Sequence, residues 1–252
     1  MIDVETYLNR IGYRGHPEPN LQTLAELQLL HLRTVPFENL DIHLGRQIVL
    51  DYDLLFDKVV RQRRGGFCYE LNGTFGQLLS RLGFRVTMLS AGVAHETGGF
   101  GPDFDHMTLR VDLDEPWLVD VGFGDSFQKP LRLKADIEQS DDRKMYRFLT
   151  SNQEWILEEE GKPQFKFTLK SRELSEFREM CDYHQTSPKS HFTQNRICSI
   201  ATPAGRVSLS NLKLITTVGT SREEQILSSQ SEYDNVLQKY FGMRLNQTAL
   251  KI

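Results

Sequence analysis

Cys68 is the side chain best suited to attack a carbonyl, and its neighbours are arranged to present it. It follows a glycine pair in Arg64-Gly65-Gly66-Phe67-Cys68-Tyr69-Glu70-Leu71-Asn72. Beyond it, Tyr69, Leu71, Phe75, Leu78, Leu79 and Leu82 recur at roughly helical spacing and Gly83 closes the run, so the pattern predicts a helix that starts at the cysteine. A thiol there lies among N–H groups with no intrahelical acceptor, at the positive end of the helix dipole, which favours thiolate. The glycines would let a substrate approach the sulfur without meeting a side chain. The competing reading is a buried, inert cysteine.

A cysteine nucleophile needs a base, and the base needs an acceptor that orients it. His106 and Asp120 are the best partners. They lie on the arms of an expected hairpin, His106–Leu113 and Trp117–Phe123, turning at Asp114-Glu115-Pro116. Their separation is even, so a turn centred on one residue puts both on the same face, while a turn of even length separates them. A centre near residue 113 or 114 makes them opposite or diagonal neighbours. Asp120 also interrupts the apolar run Trp117-Leu118-Val119-Asp120-Val121, where a carboxylate needs a partner: the imidazole, or backbone N–H groups in a structural corner.

The elements that would carry these residues fall into three stretches. The first is helical: Leu21–Leu32, a helix opened by Asp51 and ending at the glycine pair, and the Cys68 helix, with Val35–Asp41 an irregular link. From Phe84 the pattern is of strands, Arg85–Val93, the hairpin, Tyr146–Leu149, Glu154–Leu157 and Gln164–Leu169, which predict a small barrel or strongly curved sheet. The last stretch mixes a helix near Leu174–Tyr183, an exposed loop at Thr186–Ser190, strands at Ile197–Thr202, Arg206–Leu209, Lys213–Thr217 and Glu223–Leu227, and a helix from Ser231 to Phe241 stopped by Gly242.

Composition excludes several function classes. At 252 residues with 39% hydrophobic and 25% charged side chains, a buried core is feasible and global disorder is not. A net charge of −4 gives no nucleic-acid or membrane-surface footprint, and no apolar run approaches the roughly 20 residues of a membrane span. The N-terminal segment lacks a signal core, so a cytoplasmic protein is expected. Three cysteines, Cys68, Cys181 and Cys198, suit reduced thiols better than a disulfide framework. The string Cys181, His184, His191, Cys198 matches no zinc spacing, and no metal is expected.

Taken together, RGGFCYELN around Cys68, VPFENLDIH at 35–43, DHMTLRV around His106, WLVDVGFG around Asp120 and SHFTQNRICSIATPAGRV at 190–207 resemble an arylamine N-acetyltransferase of the bacterial type, in that family's order and spacing. The resemblance implies an α+β fold in three parts: a helical domain (1–83), a β-barrel domain (84–190) and an α/β lid (191–252), the first two arranged as in papain-like cysteine proteases. It implies a Cys68–His106–Asp120 triad that moves an acetyl group from acetyl-coenzyme A to an arylamine or hydrazine through an acetyl-cysteine. Phe37 and Phe123 are the candidate walls for a flat acceptor. Gly101, in the glycine-rich loop 98–104, and Thr193 are carried over as coenzyme contacts. The order Cys, His, Asp also fits a papain- or transglutaminase-like hydrolase or transamidase, and a binding module that keeps the fold is a third reading.

Overall fold

A computed structural model describes residues 2–245. Helix α1 (Val4–Ile11) is capped by Asp3, whose carboxylate accepts from the Thr6 N–H, and stopped by Gly12 in the left-handed region. Helix α2 (Leu21–Thr34) is capped by Asn20 and runs past its expected end. The expected irregular link contains a two-residue strand, β1 (Phe37–Glu38), followed by the short α3 (Leu40–His43). Asp51 caps α4 (Tyr52–Phe56), which widens into a π-helical turn at Asp57–Arg61. Helix α5 (Cys68–Arg81) starts at the cysteine, as its sequence spacing predicts.

Strands β2 (Arg85–Val93), β3 (His106–Asp112), β4 (Pro116–Val119), β5 (Leu131–Arg132), β6 (Glu138–Ser140), β7 (Met145–Ser151), β8 (Glu154–Glu159) and β9 (Lys162–Thr168) form one antiparallel sheet in the order β5-β4-β3-β2-β9-β8-β7-β6. Its edge strands follow one another in the chain, so the sheet curls until they face. The Gln139 side chain on β6 then bonds the Arg132 backbone on β5 twice, accepting from its N–H at 2.7 Å and donating to its carbonyl at 2.9 Å. One amide thus takes the place of a ladder between the edges, and the barrel is nearly closed. Its interior holds Leu89, Leu118, Phe148, Leu157 and Phe165.

After a 3₁₀ turn (Leu174–Phe177) come α6 (Arg178–Thr186) and the short α7 (His191–Gln194). A second antiparallel sheet has the order β1-β10-β11-β12-β13, with β10 (Ile197–Thr202), β11 (Gly205–Ser210), β12 (Lys213–Val218) and β13 (Ser221–Ile226). Helix α8 (Gln230–Phe241) packs Tyr233, Leu237 and Phe241 on Cys198, Leu209 and Leu214 of that sheet. Residues 246–252 of the expected lid stretch lie outside the described residues.

Helix α5 is buried along nearly all of its first nine residues and lies between two cores. Leu71, Phe75, Leu78 and Leu79 pack with Tyr7, Leu24, Leu27, Phe56 and Val59 of the other helices and with Leu109 and Val111 of β3. Within this core His31 is fully buried between Tyr7 and Phe75, ring centroids 6.0 and 5.1 Å away. Burial drives its pKa from 6.5 down to about 3. The unfolded chain therefore binds a proton that the folded chain refuses, and stability falls as pH drops below 6.5. Denaturant melts of the wild type and His31→Leu between pH 7.5 and 5 should show a smaller loss of stability in the variant; equal losses would exclude this source of acid sensitivity.

Candidate active site

The approach to Cys68 is fixed by a buried ion network. Arg64 lies 2.7 Å from Glu38 and 3.0 Å from Asp41, and Lys58 lies 2.7 Å from both Asp41 and Glu70. Glu70 also accepts the Phe67 N–H at 3.0 Å, tying the first turn of α5 to the residue before Cys68. Burial opposes charge on Lys58, yet Glu70, Glu38 and Asp41 hold its pKa above the ordinary lysine value. The glycine pair serves this network rather than the substrate. A Cβ on Gly65 would overlap the Pro36 carbonyl oxygen, and one on Gly66 would lie 2.7 Å from the Glu70 Cβ. Neither glycine lines the cavity described below.

The hairpin turn is of odd length. Leu109 faces Val119 and Asp112 faces Pro116, so the register centres on residue 114 and makes His106 and Asp120 diagonal neighbours. His106 Nε2 lies 2.6 Å from Asp120 Oδ2. The second expected arm ends early, at Val119, because the Asp120 carboxylate turns the chain: its Oδ1 accepts from Gly122 N–H at 2.8 Å and from Asn72 Nδ2 at 2.9 Å. Asn72 also donates to Met107 O and accepts from Val121 N–H, at 2.7 and 3.0 Å. It lies one helical turn beyond Cys68, on the same face of α5, so one amide locks helix, strand and aspartate together. That spacing was the available signal for it, and the sequence reading passed over it.

Cys68 and His106 line one cavity of about 750 Å³, together with Phe37, Phe123, Val93, Met180 and Phe192. Cys68, His106 and Asp120 are each at most 3% exposed. Since the carboxylate occupies Nε2, the remaining ring nitrogen, Nδ1, is the one left for proton exchange. Phe123 meets the His106 ring edge-on at 4.9 Å. Two influences oppose one another at the thiol. Burial pushes its pKa well above the usual range; a hydrogen bond from the Met107 backbone lowers it, while Asp120 and Asp105 raise it further. A helix N-terminus is thus not enough to ionise this sulfur.

Phe37 and Phe123 both stand in the cavity wall, and Gly101 and Thr193 do not. The Gly101 N–H donates to Val93 O at 2.7 Å. The Thr193 hydroxyl is within 2.7 Å of Ser187 O and 2.9 Å of Ser190 O, where it braces the turn before α7. Their segments reach the cavity through His95 and Pro102 on one side and Lys189, Ser190 and His191 on the other. The loop expected to be exposed at Thr186–Ser190 is therefore partly cavity wall, with Ser190 buried as the cap of α7. The sequence reading also missed Asp105 and His184, which line the same space.

A family model described as N-acetyltransferase matches residues 20–250. The chain belongs to the arylamine N-acetyltransferase family. It is 33% identical to the pineal gland arylamine N-acetyltransferase isozyme NAT-3 of Gallus gallus, over 100% of this chain and 97% of that one. It is likewise 33% identical to the arylamine N-acetyltransferase of Escherichia coli, over 94% and 87% of the two chains. The solved arylamine N-acetyltransferase of M. smegmatis superposes with a TM-score of 0.92 at 32% identity, covering 100% of this chain and 96% of that one. The Mycobacterium marinum enzyme in complex with CoA superposes with a TM-score of 0.88 at 30% identity, over 96% and 93%. The chain is thus an acyltransferase, with the α+β family fold and its papain-like core. No helix among the described residues is long and apolar enough to cross a membrane.

Gly122 gives a direct test of how tightly this site is packed. A Cβ there would lie 2.7 Å from the Cys68 Cα and 2.8 Å from Asn72 Nδ2, so backbone or the locking amide must shift. Gly122→Ala should lower kcat/KM by at least about tenfold, as expected when reacting groups move by a fraction of an ångström. Wild-type activity in that variant would mean the segment is not held as described.

Proposed function

We propose that this acyltransferase uses acetyl-coenzyme A to acetylate arylamines and hydrazines, in a ping-pong cycle through acetyl-Cys68. The observation that carries the reading is the cavity that Cys68 and His106 both line, with Asp120 2.6 Å behind the imidazole. In the first half-reaction the sulfur attacks the thioester carbonyl, the bond from that carbon to the coenzyme sulfur breaks, and His106 protonates the departing thiol. One thioester replaces another, so the acyl group keeps its reactivity. In the second half-reaction the amine attacks the acetyl carbonyl, His106 takes the amine proton, and Cys68 leaves as thiolate. Asp120 fixes the imidazole tautomer and balances its positive charge. The N–H of Cys68, first in its helix, has no intrahelical acceptor and is a candidate oxyanion donor.

Burial by itself would keep the sulfur a thiol; the reading therefore requires that a thiolate form as one half of an ion pair with the His106 imidazolium. Phe37 and Phe123 sandwich a flat acceptor. The coenzyme enters between loop 98–104 and the 187–193 turn, where Gly101 and Thr193 act by holding those segments in shape. The CoA complex of the M. marinum relative supports coenzyme binding in this fold.

Incubation with acetyl-coenzyme A should add one acetyl mass to the intact protein, and none to Cys68→Ala. Folded wild type that gains no mass contradicts the covalent intermediate. Alkylation by iodoacetamide should stay fast well below pH 8.5, the pKa of an ordinary thiol at about 8.5, and Asp120→Asn should shift its midpoint up by at least about one pH unit. Superimposable profiles would remove the ion pair from the mechanism.

A further inference from the structure

Asp105 and His184 make a second carboxylate–imidazole pair on the wall of the same cavity, and acetyl transfer as derived above gives it no task. His184 Nε2 lies 3.1 Å from Asp105 Oδ1, and Nδ1 lies 3.3 Å from Ser190 Oγ. The His184 ring stacks on Tyr69 at 6.1 Å and meets Phe192 edge-on at 5.2 Å. Asp105 Oδ2 accepts the Val93 N–H at 3.2 Å, and the Tyr69 hydroxyl donates to the Phe104 carbonyl at 2.6 Å. The side chains of Asp105 and His184 are 17% and 9% exposed. Burial opposes charge on Asp105, but hydrogen bonding and charge from His184, the Val93 N–H and nearby His106 hold its carboxyl below the usual range. A carboxylate thus stands in a wall that also holds the apolar Val93, Met180, Phe123 and Phe192, with His95, Lys189 and His191 elsewhere on its lining.

Building on the acetyl-transfer reading, we propose that Asp105, held in place by His184, makes this cavity select acceptor amines that carry no negative charge. A ring bearing a carboxylate would bring a second anion beside Asp105 in a largely apolar site. Asp105 cannot turn away without losing the Val93 and His184 contacts. The cations at hand do not offset this. His95, Lys189 and His191 are exposed, so any charge on them is screened by solvent. His106 is held by Asp120; His184 lies against Asp105 Oδ1, leaving Oδ2 bonded to the neutral Val93 N–H. The same carboxylate accepts a hydrogen bond from the N–H groups of a hydrazine or a neutral ring substituent, so attraction and repulsion favour the same acceptors.

The test compares 4-aminobenzamide with 4-aminobenzoate, which share a ring and an attacking amine and differ in charge. Both amines meet the same acetyl-enzyme, so the ratio of their kcat/KM values is independent of donor loading and of the active fraction. Wild type should favour the amide by roughly tenfold or more. Asp105→Asn, which keeps an acceptor for the Val93 N–H, should shift the ratio about tenfold toward the benzoate, while His184→Gln, which leaves the carboxylate, should keep the preference for the amide. A merely structural role would depress both amines alike. Equal efficiencies in the wild type, a comparison that needs no variant to fold, overturn the selectivity, as does an unchanged ratio in Asp105→Asn. Failure to acetylate either amine would instead overturn the acetyl-transfer reading, and the inference with it.

Discussion

The site depends on the hydrogen bonding of one buried carboxylate. Asp120 gives Oδ2 to His106 and holds Oδ1 between Asn72 and the Gly122 N–H, with almost no exposure to water. An aspartate so placed is tolerable only because each oxygen has a partner. Those partners come from three places: the helix that carries Cys68, the strand that carries His106, and the turn after β4. Satisfying the carboxylate therefore assembles the site, and loss of any partner would leave a buried charge less well compensated.

The same economy of parts recurs outside the site. The Lys58, Arg64, Glu38, Asp41 and Glu70 network holds the chain leading into α5, and Glu38 lies on the two-residue strand that pairs with β10. The start of α5 is thus tied to the second sheet through buried charge and through β1 together. The barrel, closed by the Gln139 amide, supplies the rigid strand on which His106 stands. An ion pair at Cys68 is useful only if such supports keep sulfur and imidazole at a constant separation.

Much of this was legible in the sequence because it is written locally. The Asp114-Glu115-Pro116 turn and an even spacing made His106 and Asp120 neighbours for any turn of odd length, and the register supplies that parity. Helical spacing and Gly83 located α5, and Gly242 marked the end of α8. Features made by distant segments left no such trace. Strand β1 is two residues long and exists because Phe37 finds Ser199 and Glu38 finds Cys198. The Asp105–His184 pair likewise joins a strand entry to α6, and neither residue has an unusual setting in its own stretch. Helix α1 was legible and went unread: Asp3 and Gly12 are ordinary start and stop signals around it. The thiol was legible only in part, since a helix N-terminus can be read from sequence while the depth of burial that opposes it cannot.

The central claim is that Asp120 keeps His106 charged so that His106 can keep Cys68 anionic. Nitrogen-15 NMR of the His106 ring across pH, in the wild type and in Cys68→Ala, measures this most directly. The account predicts that the wild-type ring stays doubly protonated to a pH at least about one unit higher than in the variant, because the thiolate stabilises the imidazolium. Identical titrations in the two proteins, with a ring that is neutral near pH 7, would contradict it.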